Sequence, residues 1–344
     1  MVERLMKTID GKVPTFHPSC LYLSWTAEGP TPRYRATFCN YRDLDRSKNK
    51  FSATIKWKEL NMDLVVATDY VGDPYSCDME NNYRNQDYLK SHLQKVIRRS
   101  NPYKSLLTAW HFLDLDLPDL LRRLCIIAVE DCLPLDGYAT VVWFMAAISK
   151  GYKLSTSQVA WLMGYIHDLA QCKHYEQIPA APPDVSLKNI KTRSLQGSGR
   201  DLVYAILLRR AYGGMKGDKE MCLSAARLWS ARFHTGSLHL PLLARKDIFI
   251  SPPTVTLSKS DWVVAAIDFH CCQNIIHLMW EKHDEFTEDD IKGAIWHCSS
   301  SVTDKTNIGE DLGQRRPSGR HLSVWKVIRK DFLSYARFML ERNA

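Results

Sequence analysis

The sequence predicts a mainly α-helical protein: multi-helix bundle domains with a small β-rich N-terminal subdomain. Three observations carry this. The stretch Asp119–Tyr152 is the densest apolar run of the chain and reads as two helices separated by a turn. Helical spacing of apolar residues recurs through most long segments after residue 87. Before that point, short aromatic and β-branched segments alternate with polar residues, the period of half-buried strands.

A chain of 344 residues suggests two or three domains. We divide it into a β-rich subdomain at 1–86, a helical domain at 87–176, a linker at 177–200 and a C-terminal helical domain at 201–344. In the first part, Cys20–Trp25, Arg33–Phe38 and Phe51–Trp57 read as strands. Phe51, Ala53, Ile55 and Trp57 alternate with polar partners. Gly29-Pro30 and Gly72-Asp73-Pro74 mark turns.

Helices follow. Tyr88–Arg99 places Leu89, Leu93, Val96 and Ile97 on one face, with Lys90, Lys95, Arg98 and Arg99 beside it. Ser100-Asn-Pro is a stop and restart, and Pro102 suits an early helical position before the helix Tyr103–Leu113. Leu117, Leu120, Leu121, Leu124, Ile127 and Ala128 then form a stripe that excludes Arg122 and Arg123. That helix ends at Glu130 and Asp131, ahead of Pro134. Asp136 is the expected N-cap of a helix over Tyr138–Ser149, apolar nearly all round and so central to a bundle. Ser155 or Ser157 caps the next helix, to Cys172.

Residues 177–200 hold Pro179, Pro182 and Pro183 and end in Gln196-Gly-Ser-Gly-Arg200, a linker composition. Helices are expected over Asp201–Ala211, Asp218–Phe233, Asp261–Trp280 and Ile291–Trp296, the last capped at Thr287. Segment 235–260 reads as loop, and Leu322–Leu340 as a closing amphipathic helix.

Composition narrows the function classes. The formal charge is +8, a basic bias compatible with a polyanionic partner. The N-terminus MVERLMKTIDGK lacks the apolar core of a secretory signal. No apolar stretch reaches the about 18 residues of a membrane span. The ten cysteines contain no CxxC and fall mostly in apolar patterns, as in LCII around Cys125, so reduced buried thiols are expected. These features place the protein inside the cell, in nucleus or cytoplasm, and away from membranes.

Leu93–Asp131 resembles the helical region that follows the ATPase module in bacterial RarA and the Werner-helicase-interacting recombination factors. The likeness rests on Arg98-Arg99, Ala109-Trp110, Arg122-Arg123, Ile126-Ile127 and Glu130-Asp131, in that order along successive helices. It implies association with DNA in replication, recombination or repair, and self-association through the helical part. ATP is not expected as a cofactor, because no G-x-x-x-x-G-K-[ST] loop is present. Gly213-Gly-Met-Lys-Gly-Asp-Lys219 has the wrong spacing, and an aspartate at the helix start repels phosphate.

Candidate nucleic-acid contacts are Arg98, Arg99, Arg122, Arg123, Arg209, Arg210, Arg315 and Arg316. Tyr103, Trp110, Tyr212, Trp229 and Trp325 lie among the basic clusters, and cations interleaved with aromatics suit phosphate contact and base stacking. The acidic pair Glu130 and Asp131 has two readings, a helix end bonded to nearby amides or an arginine, and a functional pair for a metal or acid/base work. A divalent metal such as zinc would draw on His270, His277, His297 and Cys298, although no standard short ligand spacing occurs. His167-Asp168 is similar to the pair of HD-type phosphohydrolases, which would need partners such as His111 and Asp201 or Asp268. The leading expectation is a non-catalytic nucleic-acid-associated or assembly module. A metal-dependent hydrolase and an interaction scaffold are the alternatives.

Overall fold

In the computed structural model, residues 18–26, 32–76, 86–98, 100–134, 136–172, 178–179, 190, 195–235, 273–300, 303–304 and 318–343 are described. The protein is mainly α-helical with a small four-stranded N-terminal sheet. The expected strands form as β1 (Cys20–Thr26), β2 (Arg33–Cys39) and β3 (Phe51–Trp57). A fourth, β4 (Met62–Thr68), joins them. The order is β2-β1-β4-β3, with β1 antiparallel to β2, parallel to β4, and β3 antiparallel to β4. The apolar residues of one pleat face, Leu21, Leu23, Tyr34, Ala36, Phe38, Ile55, Trp57, Leu64 and Val66, all enter the main core.

Helices cover that face. Beyond the sheet come α1 (Gln86–Arg98), α2 (Pro102–Glu130), α3 (Tyr138–Ile148), α4 (Thr156–Gln171), α5 (Gly197–Ala211) and α6 (Lys216–Thr235). α3 is buried nearly all round, as its uniformly apolar sequence requires. Its Trp143 indole donates to the carbonyls of Leu21 and Ala67 (3.1 and 3.2 Å), tying the helix to the parallel β1–β4 pair. The outward amides of edge strand β2 are also satisfied from the helices. Ala36 donates to Thr140 Oγ1 and Phe38 to Asp201 Oδ1, both at 3.0 Å. An edge occupied in this way is closed to further strand pairing.

α2 consists of the two expected helices, joined at a break at Asp116 (φ −158°, ψ 84°). The Asp116 carboxylate accepts from the Asp119 amide (2.9 Å), capping the second half, and Pro118 sits in that half's first turn, where it costs little. Gln86 reaches both Asp116 and Asp119 at 2.8 Å, whereas His92 meets Thr108 (2.6 Å) and Arg98 meets Asp131. The first half of α2 thus returns along α1, and the second half runs beside it again.

Caps explain the other boundaries. Asn101 caps α2, with Pro102 in its first turn. Ser155 and Gln158 form a capping box at α4. At α3 the expected cap is corrected: Gly137 occupies the N-cap at φ 101°, with no side-chain cap bond, so Asp136 lies one residue too early. Glycine adopts that left-handed angle at no steric cost.

α5 and α6 bury Val203, Ile206, Leu208, Cys222 and Trp229 in the same core as the sheet and α2–α4. The apolar core therefore runs across the segment 177–200, and Ile190 within it is buried. A second core joins α7 (Gln273–Lys282), α8 (Glu288–Cys298) and α9 (Gly319–Asn343) through Ile275, Met279, Ile291, Ile295, Trp325 and Phe332. Thr287 caps α8 with Asp290, as its sequence indicates. A short hairpin, β5 (Ser299–Ser300) and β6 (Thr303–Asp304), follows α8. Among the described residues, no helix is long and apolar enough to cross a membrane. Of the loop expected at 235–260, Thr235 ends α6, and residues 236–260 lie outside the described residues, as does the start of the helix expected from Asp261, to residue 272.

Candidate functional site

The arginine pairs fall at the junctions between helices. Arg98, on the last turn of α1, has a side chain only 12% exposed, and its Nε donates to Asp131 Oδ1 at 2.6 Å. Gln94 donates to the same Asp131 (2.8 Å) and to Glu130 (3.1 Å), while Arg123 donates to Gln94 Oε1. The acidic pair is therefore the anionic half of an internal cluster that joins α1 to the end of α2. At this helix end an arginine supplies the counter-charge. Neighbouring Lys95, expected beside the apolar face, is 2% exposed.

Arg122 donates to the Tyr212 carbonyl (3.0 Å), and Arg209 Nε returns a bond to the Arg122 carbonyl (3.0 Å). Arg209 Nη1 also reaches the Gly213 carbonyl (2.7 Å). The residue is 3% exposed. Arg210 bonds the Lys219 carbonyl (3.2 Å) and pairs with Glu59. Two of these bonds satisfy carbonyls left open just after α5, at Tyr212 and Gly213, a role suited to the guanidinium's fork of donors. Arg98, Arg122, Arg123, Arg209 and Arg210 thus each make at least one contact at a helix junction. Arg99, Arg315 and Arg316 lie outside the described residues.

Among the described residues, the metal candidates do not converge. His277 lies on α7, half exposed, between Glu281 (3.2 Å) and Glu288 (3.5 Å). His297, on α8, stacks on His321 of α9 at 4.6 Å between centroids. Cys298 is fully buried in the second core. His270 lies outside the described residues. Among the described residues, no three His, Cys, Asp or Glu side chains are grouped to hold a metal ion. The HD-like set is dispersed as well. His167 and Asp168 approach within 3.7 Å, but His111 is buried in α2 and Asp201 holds the edge of β2. Burial pushes the Asp201 carboxyl above its usual range, against the Phe38 amide and Arg200, which pull it down.

Exposed positive charge gathers on the N-terminal sheet, and α9 carries more at Lys326, Arg329, Lys330 and Arg337. Strand alternation turns Arg33 and Arg35 of β2 and Lys56 of β3 away from the helices, opposite Tyr34, Ala36, Ile55 and Trp57. The β2–β3 connection adds Arg42, Arg46, Lys48 and Lys50, and Lys58 follows β3. All eight of these cations are exposed. Residues 32–63 contain only four acidic residues, Asp43, Asp45, Glu59 and Asp63, which gives this segment a net +4. Arg46 lies over the Tyr41 ring at 4.8 Å. Trp25, at the end of β1, is 37% exposed and packs against Tyr70 at 5.0 Å. The signal was present in the polar half of the alternation, Arg33-x-Arg35 and Lys56, but helical basic clusters drew the assignment instead.

No family model, no curated protein and no solved structure matches the chain.

Proposed function

We propose that the protein is a non-catalytic module that associates with nucleic acid through the cationic outer side of its N-terminal sheet and the β2–β3 connection. One observation carries the reading: eight exposed lysines and arginines against four acidic residues between 32 and 63, half of the chain's formal +8 in one short segment. Exposed cations near an aromatic of mixed exposure suit sequence-tolerant contact with a phosphate backbone and an unpaired base. The likeness of residues 93–131 to the helical region of the RarA and Werner-helicase-interacting factors favours a role in DNA replication, recombination or repair, and self-association. Its matching residues within the described set, from Arg98 to Asp131, form internal contacts here, so the likeness concerns how α1 and α2 are joined and supplies no contact surface.

The test is fluorescence anisotropy with single-stranded DNA, forked DNA and single-stranded RNA over a salt series. Binding that weakens linearly in log–log form, with about 0.7 in slope for each single-strand phosphate neutralised, supports the reading. Absence of binding to all three at low salt removes it.

A further inference from the structure

The outer side of the sheet also carries two cysteines in direct register. Cys20 on β1 and Cys39 on β2 are cross-strand partners in the antiparallel ladder. Directly opposite residues in such a ladder have Cα atoms about 4.5–5.5 Å apart. A disulfide spans Cα separations of roughly 4.4–6.8 Å, so the register brings the pair within disulfide reach. The two thiols are already in hydrogen-bond contact. The sites are unequal: Cys20 is fully buried, whereas Cys39 is partly exposed at the end of its strand.

We propose that Cys20 and Cys39 form a peroxide-reactive dithiol, with Cys39 the attacking sulfur and Cys20 the resolving one. The surroundings of Cys39 fit the first role. The Cys20 thiol donates to its sulfur, and the Arg200 guanidinium favours its anionic form, while burial, Asp201 and Asp43 oppose it. The net effect lowers the Cys39 thiol below the ordinary range, and the same contact, with burial, raises Cys20. Arg200 is held in place by its bond to the Phe38 carbonyl (2.7 Å). A thiolate beside a cation, open to solvent, is the reactive setting for cysteine.

The chemistry balances with a hydroperoxide as oxidant. The Cys39 thiolate takes the terminal peroxide oxygen as the O–O bond breaks. Sulfur is oxidised to the sulfenic acid, and the peroxide leaves as water after protonation from solvent. The Cys20 sulfur then attacks the Cys39 sulfur, and the S–O bond breaks. Hydroxide departs and combines with the proton released by Cys20. Two thiols and one hydrogen peroxide become one disulfide and two waters. The inference is independent of nucleic-acid binding.

The test is treatment of the folded full-length protein with one equivalent of hydrogen peroxide, followed by alkylation, digestion and mass spectrometry. The expected product is a Cys20–Cys39 linked peptide, lost on reduction with dithiothreitol. In Cys20→Ser, the reaction should stop at a sulfenic acid on Cys39 that dimedone traps. Should that variant fail to fold, alkylation rates in the native protein serve: Cys39 should label faster than Cys125, Cys132, Cys172, Cys222 and Cys298, which are buried. Recovery of Cys20 and Cys39 as free thiols after oxidation, or labelling of Cys39 no faster than the buried five, overturns the proposal.

Discussion

Arg98 Nε lies 2.6 Å from Asp131 Oδ1, joining the last turn of α1 to the end of α2 across a nearly dry junction. The Asp131 side chain is fully buried and that of Arg98 only 12% exposed, so water competes little for either charge. Asp131→Ala would leave Arg98 without its main counter-charge, at a cost of about 3–5 kcal/mol in urea unfolding. Replacing both by apolar residues of similar size should cost far less than the two single changes added together. A double change as costly as that sum would show that the pair contributes beyond its mutual neutralisation.

Trp143 is the corresponding link between α3 and the sheet. Trp143→Phe keeps an aromatic ring but removes the donor shared by the Leu21 and Ala67 carbonyls. The expected loss is about 1–3 kcal/mol for buried acceptors left with one partner fewer. Trp143→Ala should cost about 3–5 kcal/mol through the added cavity. No loss in Trp143→Phe would mean that the indole N–H is irrelevant to stability.

Gly199 marks a close helix crossing. A β-carbon there would come within 2.6–2.8 Å of three ring atoms of Phe233 on α6. Gly199→Ala should therefore destabilise by roughly 1–3 kcal/mol, despite alanine's better helix propensity. Adding Phe233→Ala should make the Gly199→Ala change neutral or favourable, read from the same unfolding midpoints.

His111 supplies a pH dependence. Burial in α2 lowers its imidazole pKa, partly offset by Asp114. The unfolded chain therefore binds a proton at a higher pH than the folded one. Stability from this group is fully present above the ordinary histidine value of about 6.5 and is lost as pH falls below it. The urea midpoint should drop between pH 7.5 and 5.5 more steeply in the native protein than in His111→Gln. Identical slopes would remove His111 as the cause.

How much of this was legible follows from the kind of signal each residue carries. The alternation Phe51, Ala53, Ile55, Trp57 and the cap at Ser155 are local patterns, and both appear as read. β4 was missed because Leu-Val-Val-Ala-Thr in a central strand does not alternate; Leu64, Val66, Ala67 and Thr68 are all buried. The break at Asp116 was legible as the gap between the helix at Tyr103–Leu113 and the stripe from Leu117, whereas the cap that the Asp116 carboxylate gives its own following turn was not. The surroundings of the arginine pairs were not legible either. An Arg-Arg step looks the same in sequence whether it faces solvent or the carbonyl of a residue 90 positions away, as Arg122 does with Tyr212. The sheet cations were legible in the polar half of the strand pattern, once that half is asked what it presents to solvent.

The most direct test of the account compares two sets of variants in parallel salt titrations with single-stranded nucleic acid. One set changes Arg33, Arg35 and Lys56 to alanine on the sheet, and the other changes Arg122 and Arg210 at the helix junctions. The account predicts weaker binding and a shallower salt slope, by about 0.7 for each phosphate no longer neutralised, in the sheet set alone. The junction set should lose stability yet, where folded, keep the native slope. An unchanged slope in the sheet variants, with weaker binding in the junction variants, would contradict it.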